Sequence, residues 1–342
     1  MKRLAHLWGC LRVGLWGCLS IGALSAPLAA AAIDHASLVT LSASVLKVEA
    51  ERVQGGFSLG SAVVVGPETV VTNCHVTRDA KRIAVARGGV RWQAATQFRD
   101  ADHDLCVLQV PGLRADVIRA GRADALKIGE PVIALGFTGG GMQNSDGRVL
   151  ALHRLDGARV IQSSNWFNSG ASGGGLFDEQ LRLVGILTFR SRGGDAHYYA
   201  APVEWLTGML DRTSPQFEPI APSTASEPAY WERPAARQPA FLKAELLQRE
   251  QQWPALESLA RDWLNADTSD PEGWYLLGVA LDEQHRPAAA RTAFECSLQA
   301  DGDHASASER LATLPPNAAA PVLADATPAR CSPGALTSFP TR

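Results

Sequence analysis

Hydrophobic and polar positions change their period once along this chain, and that change divides it. From position 45 to about 210 the apolar residues come in short runs broken by glycine. Val45-Leu46-Lys47-Val48, Ser61-Ala62-Val63-Val64-Val65, Thr69-Val70-Val71-Thr72 and Cys106-Val107-Leu108-Gln109-Val110 come first, and runs at 131–135, 148–152, 159–161 and 183–187 follow. Short strands at this spacing, with few helical stretches, predict an all-β sandwich or a pair of barrels. Pro202-Val203-Glu204-Trp205-Leu206 opens a short amphipathic helix that closes the region. Between 213 and 239 six prolines among scattered serine, alanine and glutamate predict an extended linker, a composition that cannot bury enough apolar surface to fold alone. Beyond it the period turns helical: 241–250, 255–264, 272–283 and 288–299 read as four helices, with Pro254 and Pro287 marking starts, and 306–314 as a capping fifth. The proline- and alanine-rich tail, 315–342, is expected to be disordered.

The N-terminus stands apart from this pattern. Lys2, Arg3 and Arg12 precede an apolar run over 13–24 that leads into Ala26-Pro27-Leu28-Ala29-Ala30-Ala31-Ala32. A basic start, a short apolar stretch and small residues at an A-x-A-like site predict a secretory signal peptide over 1–32, too short for a membrane span. Leu-Trp-Gly-Cys occurs twice, at 7–10 and 15–18, but the bulky tryptophan and the short apolar segment before each cysteine argue against lipidation. The expected organisation is therefore a signal peptide (1–32), a β-rich domain (33–212), a linker (213–239), a helical domain (240–314) and a tail (315–342).

Composition adds two constraints. Hydrophobic residues at 46% and charged residues at 20% suit an ordinary globular protein. Without the first 32 residues the chain keeps 29 basic and 35 acidic residues, a formal charge of −6. No basic patch points to nucleic acid, and no later segment is long enough for an integral membrane span. Export, periplasmic or secreted, places Cys74, Cys106, Cys296 and Cys331 in an oxidising compartment. No His/Cys spacing suggests a zinc site, and nothing in the sequence calls for a cofactor.

Ser169-Gly170-Ala171-Ser172-Gly173-Gly174-Gly175 carries the chemistry. A serine between glycines sits on a backbone that can turn sharply and aim amide N–H groups at a developing oxyanion. Such loops are common as plain turns, so the rest of the sequence must supply partners. A serine hydroxyl needs a neutral imidazole within reach and a carboxylate that fixes its tautomer. His75 follows an apolar strand in Thr72-Asn73-Cys74-His75-Val76, and Asp104 precedes the apolar strand 105–110. Asp100 and Asp102 read as solvated turn residues. The order His, Asp, Ser is one of the known orders of a serine hydrolase triad, and it differs from the Ser-Asp-His order of α/β esterases.

Gly60-Ser61-Ala62, Val71-Thr72-Asn73-Cys74-His75-Val76, Asp104-Leu105 and Gly170-Ala171-Ser172-Gly173-Gly174 together resemble the trypsin-like (chymotrypsin-fold) serine peptidases, in particular the bacterial HtrA/Deg-like branch. Gly129-Glu130-Pro131-Val132 to Leu135-Gly136-Phe137 is similar to the opening of that branch's second barrel. The resemblance covers about 45–210 and implies two six-stranded β-barrels with the active site between them. It implies His75 as general base, Asp104 as orienting carboxylate, Ser172 as nucleophile, and the N–H groups of Gly170 and Ser172 as the oxyanion hole. It also implies that the strand 186–190 pairs with substrate backbone, and that Cys74 and Cys106 lie side by side, as a disulfide or as two packed thiols. Cys296 and Cys331 stay unassigned. Ala171 stands where the family has Asn or Asp, Gly175 where proline is frequent, and no PDZ-like segment follows.

Trp274-Tyr275-Leu276-Leu277-Gly278, then Ala290 and Phe294, fits the tetratricopeptide pattern W-x2-L-G, A-x3-F, although any antiparallel helical hairpin has similar spacings. Two functions are consistent with the whole. One is an exported serine endopeptidase acting on protein or peptide substrates, with a helical module for a protein partner. The other is a protease-fold binding or scaffold protein that has lost turnover.

Overall fold

The computed structural model describes residues 35–139, 141–191, 197–212, 216–222, 228–315 and 331. The signal peptide expected over 1–32 and, apart from Pro315 and Cys331, the expected tail lie outside the described residues. The first β-region follows a short helix, α1 (His35–Ser42), and contains β1 (Val45–Arg52), β2 (Phe57–Gly66), β3 (Thr69–Asn73), the single turn α2 (Cys74–Thr77), β4 (Ala80–Arg87), β5 (Val90–Gln93), β6 (Thr96–Asp100) and β7 (Leu105–Gln109). The second contains β8 (Pro131–Thr138), β9 (Gly141–Leu155), β10 (Ala158–Ser163), β11 (Gly175–Phe177), β12 (Leu183–Ser191) and β13 (His197–Pro202), closed off by α3 (Val203–Leu210). A two-residue strand β14 (Glu218–Pro219) precedes α4 (Ala240–Arg249), α5 (Trp253–Ala266), α6 (Pro271–Glu283), α7 (Pro287–Ala300) and α8 (Ala305–Thr313).

The two β-regions close differently. β8–β13 form a closed six-stranded barrel in the order β10-β13-β12-β11-β8-β9. The first region is an eight-stranded half-barrel sheet, β14-β6-β7-β3-β2-β1-β4-β5, so the expected two-barrel architecture holds with its first barrel left open. The reason lies at its ends: β5 and β6 are consecutive in the chain but pair with β4 and β7, not with each other. Ala94 and Ala95 turn between them, their amides donating to Ile83 O and Gln109 O. β14, from the supposed linker, pairs with the outer edge of β6 through Glu218↔Gln97 and Pro219↔Thr96.

Register explains why His75 and Asp104 emerge together. β3 and β7 pair antiparallel with Thr72 opposite Cys106 and Asn73 opposite Leu105. Residues just past the end of β3 and just before the start of β7 are thereby neighbours. Cys74 and Cys106 are joined by a disulfide with Cα atoms 5.0 Å apart. A second disulfide joins Cys296 on α7 to Cys331, Cα atoms 5.4 Å apart.

The helices form antiparallel hairpins around Trp274, Leu277, Ala290 and Phe294, all fully buried. A Cβ on Gly278 would stand 2.5 Å from the Phe294 ring, so the glycine of the W-x2-L-G run is what lets α6 and α7 approach. Asp270 caps α6, accepting from Glu272 N at 3.0 Å, with Pro271 at the first helical position. These helices pack on the β-regions. Phe241 and Leu242 of α4 join the same apolar cluster as Leu105, Phe177 and Tyr199. Glu245 accepts from the Tyr199 hydroxyl at 2.8 Å and pairs with His197 at 3.3 Å. Burial pushes the Glu245 carboxyl up, but hydrogen bonds from His197, Ser191 and Tyr199 outweigh it and hold the group below the usual range. Among the described residues no helix is long and apolar enough to cross a membrane.

Residues 228–239 correct the linker expectation. They lie against the end of the first sheet from which His75 and Asp104 emerge instead of spanning open solvent. Tyr230 is fully buried, its amide donates to Asp102 O at 3.0 Å, and Trp231 is half-buried. An aromatic pair buries enough surface to offset ordering a short segment whose prolines already restrict its unfolded state.

Candidate active site

The site is built at the end of β3 and β7 on one side and on the 168–175 loop on the other. His75 Nδ1 lies 2.6 Å from Asp104 Oδ2, and the His75 backbone N–H donates to Asp104 Oδ1 at 2.7 Å. Asp104 is 1% exposed and takes the left-handed conformation, φ 59°, which aspartate tolerates better than most residues. That turn sends its carboxylate back toward α2. Its main-chain oxygen accepts from Cys74 N at 3.2 Å and from Asn73 Nδ2 at 2.9 Å, so the pair is locked by backbone as well as side chain. Since a carboxylate only accepts, Nδ1 of His75 carries the proton and Nε2 is left as the basic nitrogen.

Ser172 sits half-buried at the turn of the glycine-rich loop. Its Oγ donates to Thr188 O at 3.3 Å and is hydrogen-bonded there, not to His75. Asn73 Nδ2 also reaches Thr188 Oγ1 at 3.4 Å, tying the His–Asp end of the sheet to the strand beside Ser172. The loop's shape has identifiable causes. Gly173 has φ 86°, and a Cβ there would stand 2.1 Å from Ser61 O and 2.4 Å from Thr72 Oγ1. Gly170 has φ 99° and lies against Phe137 O. Ser61 is the staple: its Oγ donates to Gly170 O at 2.8 Å and accepts from Phe137 N at 2.7 Å, while its N–H donates to Ser172 O at 2.7 Å. The amides of Ala171, Gly173 and Gly174 are spent on Asn168 O, Leu187 O and Ala171 O. Those of Gly170 and Ser172 have no acceptor among the described residues, which is the state an oxyanion hole requires.

Both departures noted in the loop have a structural setting. Ala171 is buried against Gly136. At Gly175, which opens β11, a Cβ would meet the buried Phe177 ring at 2.2 Å, so the position has no room for proline.

Other acidic residues nearby do structural jobs. Asp100 and Asp156 bracket His103, at 2.8 Å from Nδ1 and 3.1 Å from Nε2, with Trp205 stacked on the ring at 3.9 Å. Burial pulls the His103 imidazole down, but the two carboxylates outweigh it and hold its proton more tightly than usual. Asp102, His103 and Asp156 bring possible ligand atoms within 4.8 Å of one another. Arg233 already pairs with Asp102, and Asp100 with His103, so these groups are tied into an ion-pair network.

Ser61 and Asn73 lie within the sequence motifs and Thr188 within the strand 186–190, whereas Trp231 lies within the expected linker. Trp231 Nε1 donates to Asp104 Oδ2 at 3.3 Å, and its ring stands edge-on to His75 at 5.6 Å. The available signal was the pair Tyr230-Trp231 itself, an aromatic couple out of place in a solvated linker.

Residues 60–186 match the family described as trypsin-like peptidase domain. The chain is 34% identical over 160 residues to a protein of Ectopseudomonas mendocina named "Probable periplasmic serine endoprotease DegP-like", covering 43% of this chain and 33% of the relative. It is 32% identical over 167 residues to "Serine protease HTRA4" of Mus musculus, covering 45% and 34%. Among solved structures, it is similar to the HtrA-type protease AlgW with tripeptide (28% identity, 51% of this chain and 61% of that one, TM-score 0.47). It is also similar to the serine endoprotease from Yersinia pestis (26% identity, 52% and 64%, TM-score 0.46). The chain spans about a third of the length of the curated relatives it matches.

Proposed function

We propose that this protein is an exported serine endopeptidase in which Ser172 attacks the peptide carbonyl, His75 accepts its proton and Asp104 orients the imidazole. The observation that carries this reading is the 2.6 Å bond from His75 Nδ1 to the buried Asp104 carboxylate, which leaves Nε2 as base. Attack requires the Ser172 hydroxyl to leave Thr188 O and donate to that nitrogen instead. Attack of Oγ forms the tetrahedral oxyanion, which Gly170 N–H and Ser172 N–H stabilise; each such donor is worth about 2.7–4 kcal/mol in a comparable site. The imidazolium then protonates the leaving amine, the acyl-enzyme forms, and a water activated by the same imidazole releases the acid. Phe189, Arg190 and Ser191 pair with β13 on one edge, and among the described residues none pairs with the other edge beyond Leu187, which supports its taking substrate backbone as an added strand. The two disulfides and the "periplasmic" in the bacterial relative's name support export. The α4–α8 hairpins are read as a tetratricopeptide-like module for a protein partner, supported by the Gly278–Phe294 approach.

A protease-fold scaffold without turnover is the second reading, favoured by one observation: the Ser172 hydroxyl is bonded to Thr188 O. Fluorophosphonate labelling of the chain from residue 33 onward decides between them. The folded protein should take label, Ser172→Ala and His75→Ala should not, and labelled protein should cleave an unfolded polypeptide such as casein. A folded protein that takes no label ends the peptidase reading. Label with turnover of small esters alone ends the endopeptidase part.

A further inference from the structure

We infer that Trp231 is a positioning residue for the His75–Asp104 pair, supplied from outside both β-regions by the segment that leads to the helices. The inference rests on the peptidase reading for its catalytic meaning, but the contact itself does not. Asp104 Oδ2 is shared between two N–H donors, Nδ1 of His75 at 2.6 Å and Nε1 of Trp231 at 3.3 Å, while Oδ1 takes the His75 amide. A carboxylate held by donors on both oxygens cannot swing about its Cβ–Cγ bond. An imidazole flanked edge-on by an indole cannot tilt freely on that side.

Trp231 is itself held by stacking and by its backbone neighbours. Its ring stacks on Phe189 at 4.9 Å and 8°, and Phe189 stacks on Tyr199 at 4.6 Å and 10°. Tyr199 reaches Glu245 on α4, so the stack runs from the His75 ring to the helical region. The backbone around it is pinned by Tyr230 N to Asp102 O, by the Glu232–Arg78 and Arg233–Asp102 ion pairs, and by Gln238 Nε2, which donates to Trp231 O at 3.0 Å and Arg233 O at 2.9 Å. Anchors on both sides of one residue fix where its side chain points, and this one points at Asp104. A simple wall beside His75 would need the ring alone; the N–H directed at the carboxylate is the part that does chemistry by way of Asp104.

Trp231→Phe separates the two, keeping the stack and removing the donor. Acylation by a peptide ester should fall about tenfold, with KM nearly unchanged and melting temperature close to the parent, as expected for one hydrogen bond to a charged group. In an Asp104→Ala background the same substitution should cost nothing further, because the N–H acts only through that carboxylate. An unchanged acylation rate, or an equal loss in both backgrounds, overturns the inference. A readout independent of turnover uses Ser172→Ala protein: the Trp231 indole N–H resonance should be protected from solvent exchange and should shift and lose protection when Asp104→Ala is added. An indole proton that exchanges freely, or ignores Asp104, overturns it even if Trp231→Phe fails to fold. Absence of fluorophosphonate labelling in the parent protein tells against the peptidase reading and leaves this spectroscopic result to stand or fall separately.

Discussion

The glycine-rich loop at 168–175 and the strap at 228–239 both reach the site formed by His75, Asp104 and Ser172, and they are specified in opposite ways. The loop's form follows from residues within it and one staple. Gly170 and Gly173 adopt positive φ where a Cβ would strike backbone or a hydroxyl, and Ser61 holds the turn. The strap has no regular local code. Its prolines and small polar residues describe a linker, and its position comes from Tyr230 being buried, from Asp102, Asp104 and Arg78, each more than 100 residues away, and from Phe189. Burial also pushes the Tyr230 phenol well up, with the Asp104 carboxylate adding to it, so the ring enters the core neutral. A local code tolerates loss of distant contacts; a long-range one does not.

That contrast can be broken at either end. The largest effect is expected in the loop. Gly173→Ala must place a methyl against Ser61 O and Thr72 Oγ1, so acylation should drop on the order of 100-fold or more, the scale of losing one oxyanion donor. The folded β-signal in circular dichroism should survive. Wild-type acylation by this variant would show that the loop is less locally constrained than its glycines indicate. In the strap the effect should appear in stability. Tyr230→Ala should cost about 3–5 kcal/mol in denaturant unfolding, the range for removing a large buried ring. Tyr230→Phe should be neutral or stabilising, since the buried hydroxyl has no partner among the described residues. A loss of under about 1 kcal/mol for the alanine variant would return 228–239 to the status of a spacer.

The smallest effect concerns the 100–104 turn onto which the strap docks. His103 holds its proton more tightly when folded, so its stabilising contribution is complete below the unfolded histidine value of about 6.5 and is lost as pH climbs through the raised folded value. Asp156→Asn removes one of its two carboxylates, and asparagine suits the φ of 45° there. The melting-temperature gap between parent and variant should be widest at pH 6 and narrow steadily toward pH 8. A gap that widens with pH would reverse the assignment.

Much of the β-region could be read from residue order. Strand 105–109, the serine loop and the helix pair around Trp274 and Phe294 were legible because period, glycine placement and aromatic spacing act over a few residues. Asp104 could be singled out as the residue before an apolar strand. Its left-handed turn, which aims the carboxylate at α2, could not, because that conformation is set by pairing with β3. The open first sheet was equally hidden, since nothing in β5 or β6 says that they will not pair with each other.

Residue order therefore settled the chemical groups and the local backbone that presents them: His75, Asp104, Ser172 and the glycines around the serine. Which other groups press on those three was settled by packing across long sequence separations. Trp231 lies 127 positions from Asp104, and no local propensity encodes a contact at that range. It forms because burying Tyr230 and stacking Trp231 on Phe189 fix the segment, and only after the segment is fixed does the indole N–H have a carboxylate to meet.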